Sequence, residues 1–130
     1  CAGMLQSAAA VLLDCGAFDC AAEVAKAAAM HYERIENTAQ AGIAWDTKAR
    51  AHVDLLWSEQ GDDIGLSSRQ CRSEHARAGR EAAARAAELL ASAGDRASRE
   101  SLISARCTSA RAHALDLCKG FGELWLALLR

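Results

Sequence analysis

A chain of 130 residues is long enough for one hydrophobic core, and its net charge of −2 argues against a general binder of nucleic acid or membrane surfaces. No apolar run reaches the about 18 residues that a membrane-spanning helix needs. About a quarter of the residues are Ala, Pro is absent, and no segment alternates apolar and polar residues as a half-buried strand does. The expected class is all-α, built from antiparallel helical hairpins.

The first helix is expected from Met4 to Asp14, with Leu5, Ala8, Ala9, Leu12 and Leu13 at helical spacing. Cys15-Gly16 ends it, because Gly tolerates the left-handed conformation past a helix terminus. Asp19 is the expected N-cap of a second helix that runs to Glu36. Its inner face is Ala21, Ala25, Ala28, Tyr32 and Ile35, mostly small residues that let two helices approach closely.

Thr38 is the candidate cap of a third helix reaching Gln60, with Ala41, Trp45, Ala49, His52 and Leu56 on one stripe. Gly61-Asp62-Asp63-Ile64-Gly65 reads as a loop, and Ser67 to Gln70 has the form of a capping box. A fourth helix then extends to Ala93, with Ala78, Ala82, Ala86, Leu89 and Ala93 inward. Gly94-Asp95 opens a fifth, running to Lys119, whose stripe is Ile103, Cys107, Ala110, Ala114 and Leu117. Gly120 and Gly122 are expected to break it before a short sixth helix around Trp125. The whole reads as a single all-helical domain over residues 1–130. Its start at Cys1 fits a processed form or a piece of a longer helical-repeat protein.

From Leu5 to Ile35 one hairpin stands out. Leu5 is a large residue, Ala9 a small one, Leu12 the next large one; Gly16-Ala17-Phe18-Asp19 makes the turn, and Ala21 and Ala28 are the small residues of the second helix. This pattern resembles one tetratricopeptide-type repeat, and the stretch from Gly16 to Ile35 is similar to the hairpins of SNAP-type vesicle-fusion adaptors. The resemblance covers about a quarter of the chain; the later segments lack the repeat's spacing and its Pro. It implies a helical-repeat fold whose partners are other proteins.

Chemistry-bearing residues are sparse. Cys71 and His75 lie four apart on one helix and so share a side, but neither Cys-x-x-Cys nor Glu-x-x-His occurs. Neither a cofactor, a metal site nor an enzyme is expected. Six cysteines leave two readings open: reduced thiols of a cytoplasmic protein, or disulfides of an exported helical bundle that binds a ligand or sits on a surface.

Charge is unevenly spread. Residues 1–66 carry ten acids and four bases, residues 67–112 five acids and nine arginines. Arg69, Arg72, Arg77 and Arg80 fall within about 140° of the fourth helix, a grouping suited to carboxylates or phosphates, or to an ordinary solvated face. Trp125 and Leu128 lie in an apolar C-terminal stretch that needs cover. The expected function is a non-enzymatic interaction scaffold or adaptor. It would engage acidic protein segments through these arginines, or a neighbouring helical repeat through Trp125 and Leu128.

Overall fold

The computed structural model describes the backbone of residues 2–58 and 66–129, and the side chains of residues 2–56, 73–114 and 128. Five helices account for almost all of it, and the described residues contain no strand. They are α1 (Ala2–Asp14), α2 (Phe18–Arg34), α3 (Thr38–Ser58), α4 (Leu66–Ala93) and α5 (Arg96–Leu129). None of them is long and apolar enough to cross a membrane, among the described residues.

Two short turns repeat one geometry. After α1, Gly16 sits at φ 81°, Ala17 N–H donates to Leu12 C=O and Gly16 N–H to Leu13 C=O. After α2, Glu36 takes φ 60°, Asn37 N–H donates to Tyr32 C=O and Glu36 N–H to Glu33 C=O. Both are Schellman closures, which consume the last free carbonyls of a helix and reverse the chain. Gly94, at φ 72°, closes α4 by donating to Leu90 C=O.

Caps differ from the sequence expectation. Phe18 already belongs to α2, so Asp19 lies in the first turn, and Ala17 stands at the cap without a side-chain bond. Asn37, not Thr38, caps α3: its Oδ1 accepts from Gln40 N–H at 3.3 Å. Asp95 caps α5 by accepting from Ser98 N–H at 3.2 Å.

Each helix packs on its neighbour in the chain, and α3 also meets α1 and α5. Cross-helix pairs fix the directions. Gln6 meets Thr47 and Leu13 clusters with Ala51, so α1 and α3 run parallel. Asp46 meets Ser104 and Asp54 meets Arg111, so α3 and α5 also run parallel. The odd-numbered helices thus form one side-by-side layer. α2 and α4 run the opposite way between them.

The core is made of methyl groups. Ala9, Ala21, Ala25, Ala28, Ala29, Ala41, Ala44, Ala49, Ala51, Ala83, Ala86, Ala105 and Ala112 are wholly buried, whereas Val53 and Leu90 are the only large aliphatic side chains buried as completely among the described residues. Each methyl contributes about 0.8 kcal/mol, so stability comes from many close helix contacts rather than a few bulky ones. Trp45 bridges three of these clusters, packing against the one that holds Ala28 and Tyr32 of α2, the one that holds Ala82 and Ala83 of α4, and the one that joins Ala86 and Leu90 to Ala105 of α5. Phe18 fills the gap behind the first turn, packed with Leu13, Ala21, Ala22 and Ala51.

Four expected faces need correction. Ala8 of α1 and Ile35, just past α2, are exposed. The buried side of α4 is Ala76, Gly79, Ala82, Ala83, Ala86 and Leu90, while Ala78, Leu89 and Ala93 are only half-buried. α5 is rotated furthest: Ile103, Cys107, Ala110 and Ala114 face solvent, and Ser98, Ala105, Thr108 and Ala112 face the core. The cause is a buried acid on α3, described below, which selects the hydroxyl-bearing side of α5. Finally, α5 is continuous from Arg96 to Leu129, so Gly120 and Gly122 do not break it and no sixth helix forms. A Gly costs about 1 kcal/mol in a helix interior, which strong helix formers on both sides offset. The side chain of Leu117 and the loop expected at 61–65 lie outside the described residues.

Candidate functional site

On α4, Arg77 is exposed and Arg80 half-buried, with Glu74 and Glu81 exposed one turn from them. Arg69 and Arg72 belong to the same helix, but their side chains lie outside the described residues. Further along, Arg85 is already engaged. Its Nε donates to Glu33 Oε1 at 3.0 Å, and Nη1 reaches Glu88 Oε2 at 3.4 Å. It ties α2 to α4 at the surface. Of the C-terminal contact residues, Leu128 is exposed and Trp125 has no described side chain.

Two polar groupings cross between helices. The first is His52 on α3 with His75 on α4, their Nδ1 atoms 2.9 Å apart and their rings tilted by 39° with centres at 5.2 Å. One Nδ1–H donates to the other Nδ1, so the pair needs at least one neutral imidazole. Burial holds His52 neutral, bringing its pKa down to about 4, with His75 and Lys48 adding to the effect and Asp19 opposing it. His75 is therefore drawn to α3. Cys71, one turn earlier, has no described side chain.

The second grouping surrounds Asp46, a buried carboxylate on α3. Ser104 Oγ donates to one oxygen at 2.9 Å and Thr108 Oγ1 lies 3.2 Å from the other. Burial raises its pKa above the usual carboxylate value, opposed by the Ser104 bond, the Arg50 charge and the Thr108 bond. On the α1 side, Gln6 Nε2 donates to Thr47 Oγ1 at 3.0 Å; beyond Asp46, Arg111 bridges to Asp54 at 3.1 Å. Hydroxyls, an amide and an ion pair therefore stitch the parallel odd-numbered layer together. Asp46 is enclosed and its acceptors are occupied, which suits a register lock between α3 and α5.

Sequence reasoning did not single out Asp46, Ser104 or Thr108. The signal was present: Ser98, Ala105, Thr108 and Ala112 are small residues at helical spacing, and Asp46 adjoins the stripe residue Trp45. A hydropathy reading prefers Ile103 and Cys107 instead.

Among the described residues, no three His, Cys, Asp or Glu side chains converge as metal ligands. Cys15, Cys20 and Cys107 carry free, exposed thiols. Compared with family models, curated proteins and solved structures, the chain matches none.

Proposed function

We propose that this chain is a non-enzymatic scaffold, a stack of tetratricopeptide-like helical hairpins that presents rigid faces to other proteins. The observation that carries this reading is the layered packing: α1, α3 and α5 run parallel side by side, and each short turn returns the chain antiparallel. Such an array holds its surface side chains at fixed separations, which lowers the ordering cost of binding an extended partner.

The contact face we favour lies on α4. Arg77 projects to solvent there, and by their spacing Arg69 and Arg80 lie within about 80° of it, with Arg72 about 140° away. Guanidinium groups so placed favour acidic peptide segments, through two-pronged hydrogen bonds to carboxylates. The neighbouring Glu74 and Glu81 limit attraction for nucleic acid. The free thiols of Cys15, Cys20 and Cys107 favour a reducing compartment, hence the cytoplasm.

The test is a charge reversal. Arg72→Glu with Arg77→Glu is expected to weaken capture of an acidic peptide library about tenfold or more, with the helical circular dichroism signal and melting temperature unchanged. Unchanged capture at unchanged fold removes the α4 face from the proposal.

A further inference from the structure

The rotation of α5 leaves a face that the fold does not use. Ile103, Cys107, Ala110 and Ala114 are all exposed, and their 4-3-4 spacing confines them to a band about 60° wide along the helix. At the other end of the layer, α1 shows the same spacing. Met4, Ala8, Val11 and Cys15 are exposed on the side away from Ala9 and Leu13, Cys15 immediately after the helix. Met4 is 74% exposed, Val11 60% and Ile103 63%, far more than an aliphatic side chain in a settled core.

We propose that copies of this chain associate head to tail, the exposed face of α1 in one copy lying antiparallel on the exposed face of α5 in the next. Volume and charge both select this occupant. In the antiparallel register Met4 meets Ala114, Ala8 meets Ala110, Val11 meets Cys107 and Cys15 meets Ile103. Every large residue faces a small one, and the Ala–Ala level allows close approach, which is how helices in this chain already pack.

Charge discriminates among the possible pairings. Asp14 is the only charged residue of α1, and it flanks the apolar band on one side. Arg99 and Arg106 flank the α5 band on the side that an antiparallel partner brings to Asp14, with Arg106 nearly level with it. Pairing α5 with a second α5 would instead set Arg106 against Arg106, about one and a half turns apart, and repel. Pairing α1 with a second α1 leaves Asp14 facing uncharged residues. The α1–α5 pairing gains an ion pair without setting like charges together. Because its two faces differ, it does not close on itself, and longer arrays grow with concentration. This inference does not depend on the α4 arginine face.

The experiment uses the full chain carrying Val11→Cys, with Cys15→Ala and Cys20→Ala to remove nearby thiols. Under mild oxidation the introduced thiol is expected to bond Cys107 of another copy, identified by peptide mass spectrometry, in a ladder of dimers, trimers and longer species. Sedimentation of the unmodified chain should show mass rising with concentration. Asp14→Arg or Arg106→Asp should each weaken association about two- to fivefold, and the two together should restore it. Ile103→Glu should abolish association without altering the melting temperature, since the position is solvent-exposed in the single copy. A monomer at every concentration overturns the proposal. So does a closed dimer in which the introduced thiol bonds its own counterpart, because that places two α1 faces together.

Discussion

His52 and His75 meet nitrogen to nitrogen across the α3–α4 contact, at 2.9 Å. The bond tolerates one added proton and fails with two, since two Nδ1–H groups would then face each other. In the fold, the pKa of His52 lies near 4, below its ordinary value of 6.5, because burial and the charges of His75 and Lys48 oppose protonation; the carboxylate of Asp19 only partly relieves this. A depressed histidine pKa stabilises the fold above its unfolded value, and that contribution is lost as pH falls from about 6.5 towards about 4. The upper limit is ~3 kcal/mol, reduced to about 1–2 by the water that still reaches the ring. Urea midpoints measured between pH 7.5 and 4 should fall for the wild type and fall less for His52→Gln. Parallel curves would remove the pair from the acid response.

The buried acid works with the opposite sign. Burial raises the pKa of Asp46 in the fold, so its charge opposes folding at neutral pH and that opposition is relieved as pH drops through the raised value. Asp46→Asn keeps an acceptor for Ser104 or Thr108 while removing the charge, and should be as stable as wild type at pH 7 or about 1 kcal/mol more so. Asp46→Ala removes the acceptor of Ser104, while Thr108 keeps the Ser104 carbonyl at 3.0 Å, and should cost about 1–3 kcal/mol. Chemical denaturation at pH 7 distinguishes them; an Asn variant as unstable as the Ala variant would mean that the carboxylate charge itself holds α5.

Asp46 also explains where the sequence was legible and where it was not. Helix number through α4, the turn glycines Gly16 and Gly94, the inward face of α2 as far as Tyr32 and that of α3 follow from spacing, because there apolar periodicity and burial agree. On α5 they disagree. A buried acid on one helix determines which side of another is inward, a tertiary relation that hydropathy along α5 does not weigh, although its small and hydroxyl-bearing residues are spaced for it. The His52–His75 pair is hidden for the same reason, its members 23 residues apart and joined only by the antiparallel return of α4. Of the α4 arginine face, spacing located the helix but not which neighbours, such as Glu33 for Arg85, compete for its guanidinium groups.

The turn after α2 holds a third test. Glu36 adopts φ 60°, a conformation that costs an L-residue about 1 kcal/mol and Gly almost nothing, while Gly16 holds the equivalent position after α1 at φ 81°. Glu36→Gly should therefore raise stability by about 0.5–1 kcal/mol, and Gly16→Ala should lower it by a similar amount. Both are read from thermal melts, and a stabilising Gly16→Ala would contradict the left-handed closure.

Two glycines inside helices make the closest packing measurable. A Cβ placed on Gly42 of α3 would lie 2.6 Å from Leu90 Cγ and 3.3 Å from the carbonyl oxygen of Ala86, whereas one on Gly79 of α4 would meet nothing nearer than His52 Cβ at 3.5 Å. Helix propensity alone favours Ala at both positions by about 1 kcal/mol. Gly79→Ala should show that gain, because its methyl enters ordinary contact. Gly42→Ala should lose about 1–3 kcal/mol, since Leu90 is buried and cannot move without parting α3 from α4. Leu90→Ala alone should cost about 2–5 kcal/mol by opening a cavity. Combining it with Gly42→Ala should cost less than the sum, because the new methyl group fills part of that space. Additive losses in the double variant would mean that the two residues do not share one contact, and the tight α3–α4 approach would lose its explanation.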